Sequence, residues 1–157
     1  AVTVDMPANA VTATLGITDV FFLAYTPVLT PTEQTQHGPG GSQFGNLQFD
    51  LTAYWNDVSQ HGLQFAHPVT LTIAYDPALM NGLDLATLGL FYWNGTEWTS
   101  DGIEIISHDI PNATITVAIS HLSEFAFFAA LSPTALEPGE EPAIYQSLYL
   151  PLVGRAK

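Results

Sequence analysis

At 157 residues, 47% of them hydrophobic, the chain is long enough to build one real core, since a domain of this size buries roughly 70% of its unfolded surface. Fifteen acids against two basic residues, Arg155 and Lys157, give a net charge of −13 and argue against nucleic acid or phosphate ligands, which need a basic face. Cysteine is absent, so disulfides, thiolate chemistry and zinc–thiolate sites are excluded together.

Apolar residues alternating with period two, in short runs bounded by Gly, Pro and Asn, predict strands over residues 2–6, 11–15, 20–26, 47–54, 69–75, 88–93, 103–107, 114–119 and 124–130. Residues 30–42 form a Pro-, Gly- and Gln-rich loop carrying His37. Asp76 as a cap and Pro77 at the first helical position open one or two helical turns over 77–87. Asn94-Gly95, between Phe91-Tyr92-Trp93 and Trp98, predicts a two-residue hairpin turn with positive φ at both central residues. Nine strands at this spacing predict an all-β protein, an antiparallel two-sheet β-sandwich occupying residues 1–131.

Beyond Leu131 the pattern changes. Residues 132–142 hold three prolines, three glutamates and Gly139, the composition of a stiff, solvated linker. Residues 143–157 then carry one more strand. Ile144, Leu148, Leu150 and Leu152 share one face with Gln146, while Tyr145, Ser147, Tyr149 and Val153 share the other. Fixing the backbone of such a segment costs more than burying four aliphatic side chains gains. An ordered tail must therefore add ladder hydrogen bonds by joining a sheet edge or groove. Pro151 donates no ladder bond, which suits an edge or the end of the pairing.

Three stretches in the first 131 residues resemble known families. Val2-Thr3-Val4-Asp5-Met6-Pro7-Ala8-Asn9-Ala10 resembles the opening strand and Pro-x-Gly-Ala corner of the ZU-type sandwich domain shared by netrin receptors, ankyrins and zonula-occludens proteins, with Asn9 in the glycine position. Phe65-Ala66-His67-Pro68-Val69-Thr70-Leu71-Thr72-Ile73 is similar to that domain's Pro-Val-Thr-Leu-Thr-Ile strand. Ser120-His121-Leu122-Ser123-Glu124-Phe125-Ala126 resembles the His-Leu-Ser/Thr motif of autoproteolytic adhesion-receptor domains. In addition, Tyr149–Val153 with Arg155 resembles the Tyr-Leu-Pro-Leu-Val ending, plus a basic residue, of bacterial cell-surface proteins. Together these resemblances imply a β-sandwich in an extracellular setting and no metabolic activity.

The His-Leu-Ser resemblance implies cis-autoproteolysis between Leu122 and Ser123. Ser123 Oγ would attack the Leu122 carbonyl, His121 would take the proton, and the ester would be hydrolysed. That chemistry also needs a strained turn, and the alternative is a plain corner between two strands. His37, His61, His67 and His108 show no metal-ligand spacing, and Gly38-Pro39-Gly40-Gly41 lacks both the Lys and the following helix of a phosphate loop. No cofactor or metal is called for. Tyr92, Trp93 and Trp98 read as cross-strand packing, with a sugar platform as the alternative.

The acids sit singly, as at Asp5, Asp19, Asp50, Asp57 and Asp76. They read as solubility and repulsion between copies, with cation binding as the sharper alternative. No run approaches the roughly 20 apolar residues that span a bilayer, and an opening Ala1 without Met or a basic stretch reads as a secreted chain after signal removal. Asn94-Gly95-Thr96 and Asn112-Ala113-Thr114 are glycosylation sequons that such a location would permit.

The expectation is an extracellular, cell-surface structural subunit of a filament or layer. It would polymerise by donating a strand that contains Ile144, Tyr145, Leu148, Tyr149, Leu150, Leu152 and Val153, and such head-to-tail exchange gives an open polymer unless a ring closes. The alternatives are a monomeric adhesion module with a C-terminal sorting tail, and a cis-autoproteolytic domain.

Overall fold

The computed structural model describes residues 1–11, 21–28, 33–55, 58–60 and 62–133. The expected strand over 11–15 falls beyond Val11 outside the described residues, as do His61, most of the linker and the whole of the 143–157 segment. Ten strands lie within the described residues: β1 (Val2–Asp5), β2 (Phe21–Pro27), β3 (Gln43–Trp55), β4 (Val58–Gln60), β5 (Gln64–Ala74), β6 (Gly89–Trp93), β7 (Trp98–Thr99), β8 (Ile103–Asp109), β9 (Thr114–His121) and β10 (Glu124–Ala129).

They form two antiparallel sheets packed face to face, the β-sandwich that the alternation predicts. One sheet has the order β1-β5-β9-β8. The other has the order β2-β3-β10-β6-β7, with β4 also on β3. Val69, Leu71 and Ile73 of β5 and Ile115, Val117 and Ile119 of β9 face inward from the first sheet. Phe49, Leu51 and Ala53 of β3, Leu90 of β6 and Phe125, Phe127 and Ala129 of β10 meet them from the second. The two central strands of the first sheet, β5 and β9, bury every other residue over Val69–Ile73 and Ile115–His121, as period-two geometry demands. β10 instead buries five consecutive residues, Phe125 to Ala129, because both of its faces are covered.

The cover on its outer side is a second, smaller core. Trp98, Ala126 and Phe128 are buried there with Phe44, Phe91 and Trp93 packed against them. The loop after β2 closes over this cluster: Trp98 Nε1 donates to the Gln34 carbonyl at 2.9 Å, and Gly38 lies so close that an added Cβ would fall 2.6 Å from the Phe128 ring. The single-turn helices at Pro77–Met80 and Leu85–Thr87 start on Asp76 and Asp84, whose carboxylates accept from the amides of Ala78 and Ala86.

Several boundaries differ from expectation. β5 starts at Gln64 rather than Val69 because its register shifts between Gln64 and Val69, and a bulge is where a strand tolerates Pro68. β4 and β7 are too short for a periodic signal. The hairpin after β6 has a four-residue loop, not a two-residue one, since Trp93 pairs with Trp98. Only Gly95 of its residues has positive φ, and Asn94 instead caps the turn by accepting from the amides of Thr96 and Glu97 at 2.9 Å each. β8 runs to Asp109 rather than ending at Ser107, and so takes in His108.

Candidate functional site

The sandwich is closed where β3 and β5 cross its middle and open where β6 and β8 face each other. Over Tyr92 and Trp93, β6 is covered by β7, but among the described residues Gly89, Leu90 and Phe91 have a strand partner only on the β10 side. Among the same residues β8 is paired on one side only, with β9. Between these two edges runs a groove of about 520 Å³ lined by Leu88, Leu90, Phe91, Ile103, Glu104 and Ile105, with Ala86 and Thr87 at one end.

The strand pairing shows that this groove is an uncovered piece of core. Ile105 pairs with Val117 and Ile103 with Ile119, so all four side chains lie on the core-facing side of their sheet. Val117 and Ile119 are 0% and 1% exposed, yet Ile105 is 49% exposed. It borders the groove instead of a packed neighbour on that side. The register slips just beyond, between Ile105 and Ser107, leaving Ile106 at the bulge, also exposed. Such bulges mark sheet edges.

The end of the described chain lies beside this groove. The Ala130 amide donates to Thr87 Oγ1 at 2.8 Å, and the Asp84 amide donates to the Ala130 carbonyl at 2.9 Å. Leu131 forms an isolated bridge with Leu83, and the Ser132 amide donates to the Gly82 carbonyl. The chain therefore passes Thr87, at one end of the groove, and runs on alongside Leu83 and Gly82 toward the linker.

The three residues of the His-Leu-Ser motif sit at the corner between β9 and β10. His121 is nearly buried, ends β9, and packs its ring 4.2 Å from Tyr92, centre to centre. Its Nε2 faces the Asp101 carbonyl at 3.4 Å. Ser123 Oγ donates to the Trp93 carbonyl at 3.5 Å. His121 and Ser123 thus engage separate partners. The corner backbone is tied down as well: the Leu122 amide donates to the Leu63 carbonyl and the Leu51 amide to the Ser123 carbonyl. None of the three has a positive φ.

His108 pairs with Tyr75, Nε2 lying 2.7 Å from the phenol oxygen. Burial lowers the His108 pKa, with the neighbouring Asp109 carboxylate opposing. Burial raises that of Tyr75, and Asp109 adds to it. The Asn112 side chain and amide both donate to Asp109 and hold its carboxyl below the usual range. These groups lock the β8–β9 turn. Among the described residues no group of three or more His, Asp or Glu is placed to hold a metal, and no helix is long and apolar enough to cross a membrane.

The three aromatics of the hairpin part company. Tyr92 faces the core and Trp98 is buried in the outer cluster, leaving Trp93 half-buried and tilted against Trp98 at 5.5 Å. Both sequon asparagines, Asn94 and Asn112, are exposed in turns; the Asn112 amide nitrogen is engaged by Asp109. The groove itself escaped sequence reasoning, because Leu90, Ile103 and Ile105 each read as ordinary core positions. Comparison with protein-family models, with curated proteins and with solved structures finds no match.

Proposed function

We propose that this protein is an extracellular structural subunit that assembles with copies of itself by donating its C-terminal segment, residues 143–153, as a strand to a neighbour. One observation carries this reading: Ile105, on the core-facing side of β8 and opposite the fully buried Val117, is left half-exposed in an open groove. A sandwich with an unfilled edge and an alternating apolar segment on a Pro-rich tether carries both halves of a strand-exchange joint. The acidic body adds solubility to the free subunit and leaves few sites for trypsin-like proteases, since both basic residues lie beyond residue 154.

Light scattering and electron microscopy of the full chain test this. The expected result is particles that grow with concentration and revert to single subunits when residues 143–157 are deleted. A truncated chain that still polymerises would refute it. The passage of the chain beside Thr87 favours a second reading, in which the tail folds back on its own domain in a monomeric surface module. That version gives a 16.9 kDa particle at every concentration.

A further inference from the structure

We propose that the groove between β6 and β8 is the acceptor site for residues 144–153 of a second copy, and that this segment enters the larger sheet as a new edge strand beside Gly89, Leu90 and Phe91. The inference rests on the assembly reading and adds to it the place and the facing of the donated strand.

Four features of this chain converge on that occupant. First, the backbone of Gly89–Phe91 lacks a partner among the described residues on the side away from β10, so the site offers ladder hydrogen bonds. Second, the side-chain pattern matches. Along β6, Leu90 faces the core and Phe91 the outer cluster. The donor alternates in the same way, with Leu148, Leu150 and Leu152 on one face and Tyr149 and Val153 on the other. The leucines fill the groove over Ile103 and Ile105, and Tyr149 extends the aromatic surface beside Phe91. Third, Pro151 fits a strand whose far side meets solvent, where a missing N–H leaves no ladder bond unmade.

Fourth, reach and charge agree. Pro133 is the last described residue, and fourteen residues separate it from Leu148, a span of up to roughly 50 Å. That exceeds the dimensions of a domain whose radius of gyration is about 14 Å, so the tether can cross to an adjacent copy. Arg155 and Lys157, the chain's two basic residues, directly follow the donor strand and are carried onto a body rich in carboxylates, with Glu104 in the groove wall.

The absence of cysteine makes the test clean. Ile105→Cys is combined in the full-length chain with Leu148→Cys, Leu150→Cys or Leu152→Cys, and each pair is oxidised mildly and run on a non-reducing gel. The expected result is a ladder of dimers and higher species for at least one pair, absent from every single-cysteine variant and collapsed by reductant. An internally crosslinked monomer would overturn exchange between copies, and the assembly reading with it. If no pair crosslinks while the same variants still assemble in a tail-dependent manner, the groove assignment is wrong and the assembly reading survives. No crosslink and no assembly would sink both. Val58→Cys, at an exposed site 60% accessible and far from the groove, paired with the same tail positions, controls for random collision.

Discussion

Two apolar surfaces of the larger sheet have met opposite fates. On its outer face, Trp98 and Phe128 are sealed by a local segment, the loop through Gln34 and Gly38, and are 4% and 1% exposed. At its β6 edge, no described segment enters the groove beside Leu90 and Phe91, and Ile105 of the facing sheet stays half-exposed there. The chain covers apolar surface where a neighbouring loop can reach it. At the open edge, the proposed cover is the tethered segment with Leu148, Leu150 and Leu152. On that proposal the contrast separates what stabilises one subunit from what joins subunits.

Substitutions at the two places should therefore differ in kind. Trp98→Ala removes a buried indole and orphans the Gln34 carbonyl, and should lower unfolding free energy by about 3–5 kcal/mol in urea denaturation. A loss under about 1 kcal/mol would mean that the outer cluster is not a working core. Gly38→Ala places a Cβ 2.2 Å from the Ser42 carbonyl oxygen, which forces the loop off Phe128. We expect a loss of about 1–3 kcal/mol and greater exposure of Trp98 to fluorescence quenchers. Ile105→Ser should cost an isolated subunit about 1 kcal/mol or less, because the side chain is already half in water. Its main effect should appear in the size distribution of the full chain, shifted toward single subunits.

The first sheet contributes a pH dependence. His108 is held neutral, its pKa below the ordinary 6.5, so the unfolded chain binds a proton more readily than the folded one. Stability is fully present above about 6.5 and falls as pH drops below it, until the folded-state pKa is passed. Asp109, whose pKa is also lowered, acts in the same direction at more acidic pH. Tyr75→Phe removes the hydroxyl that pairs with Nε2. It should cost about 1 kcal/mol near neutral pH, whereas His108→Gln, which removes the titrating group, should reduce the slope of stability against pH just below 6.5, followed by thermal denaturation at several pH values. An unchanged slope would remove this pair from the account.

The fold was legible wherever one face of a strand is buried and the other wet. β9 buries Ile115, Val117, Ile119 and His121 in strict alternation, and so advertises itself. β10 was found from its apolar run, but the run hid the second covered face, because Gln34 acts there through its backbone carbonyl and Gly38 by having no side chain. The two-residue turn at Asn94-Gly95 was a fair reading of the dipeptide, overridden by the pairing of Trp93 with Trp98. The donor half of the candidate site was legible as a tethered period-two segment. The acceptor half was not, since an unfilled groove is a relation between Leu90 and Ile105, on strands of different sheets. The spacing of His121 and Ser123 was legible, but the partners their side chains meet, the Asp101 and Trp93 carbonyls, come from the preceding hairpin.

Hydrogen exchange of the backbone amides of Gly89–Phe91 and Ile103–Ile105 tests the central claim most directly, compared between the assembled full chain and the chain lacking residues 143–157. A donated strand predicts strong protection of Gly89–Phe91, and slower exchange across Ile103–Ile105, in the full chain alone. Equal and rapid exchange in both would contradict an occupied groove.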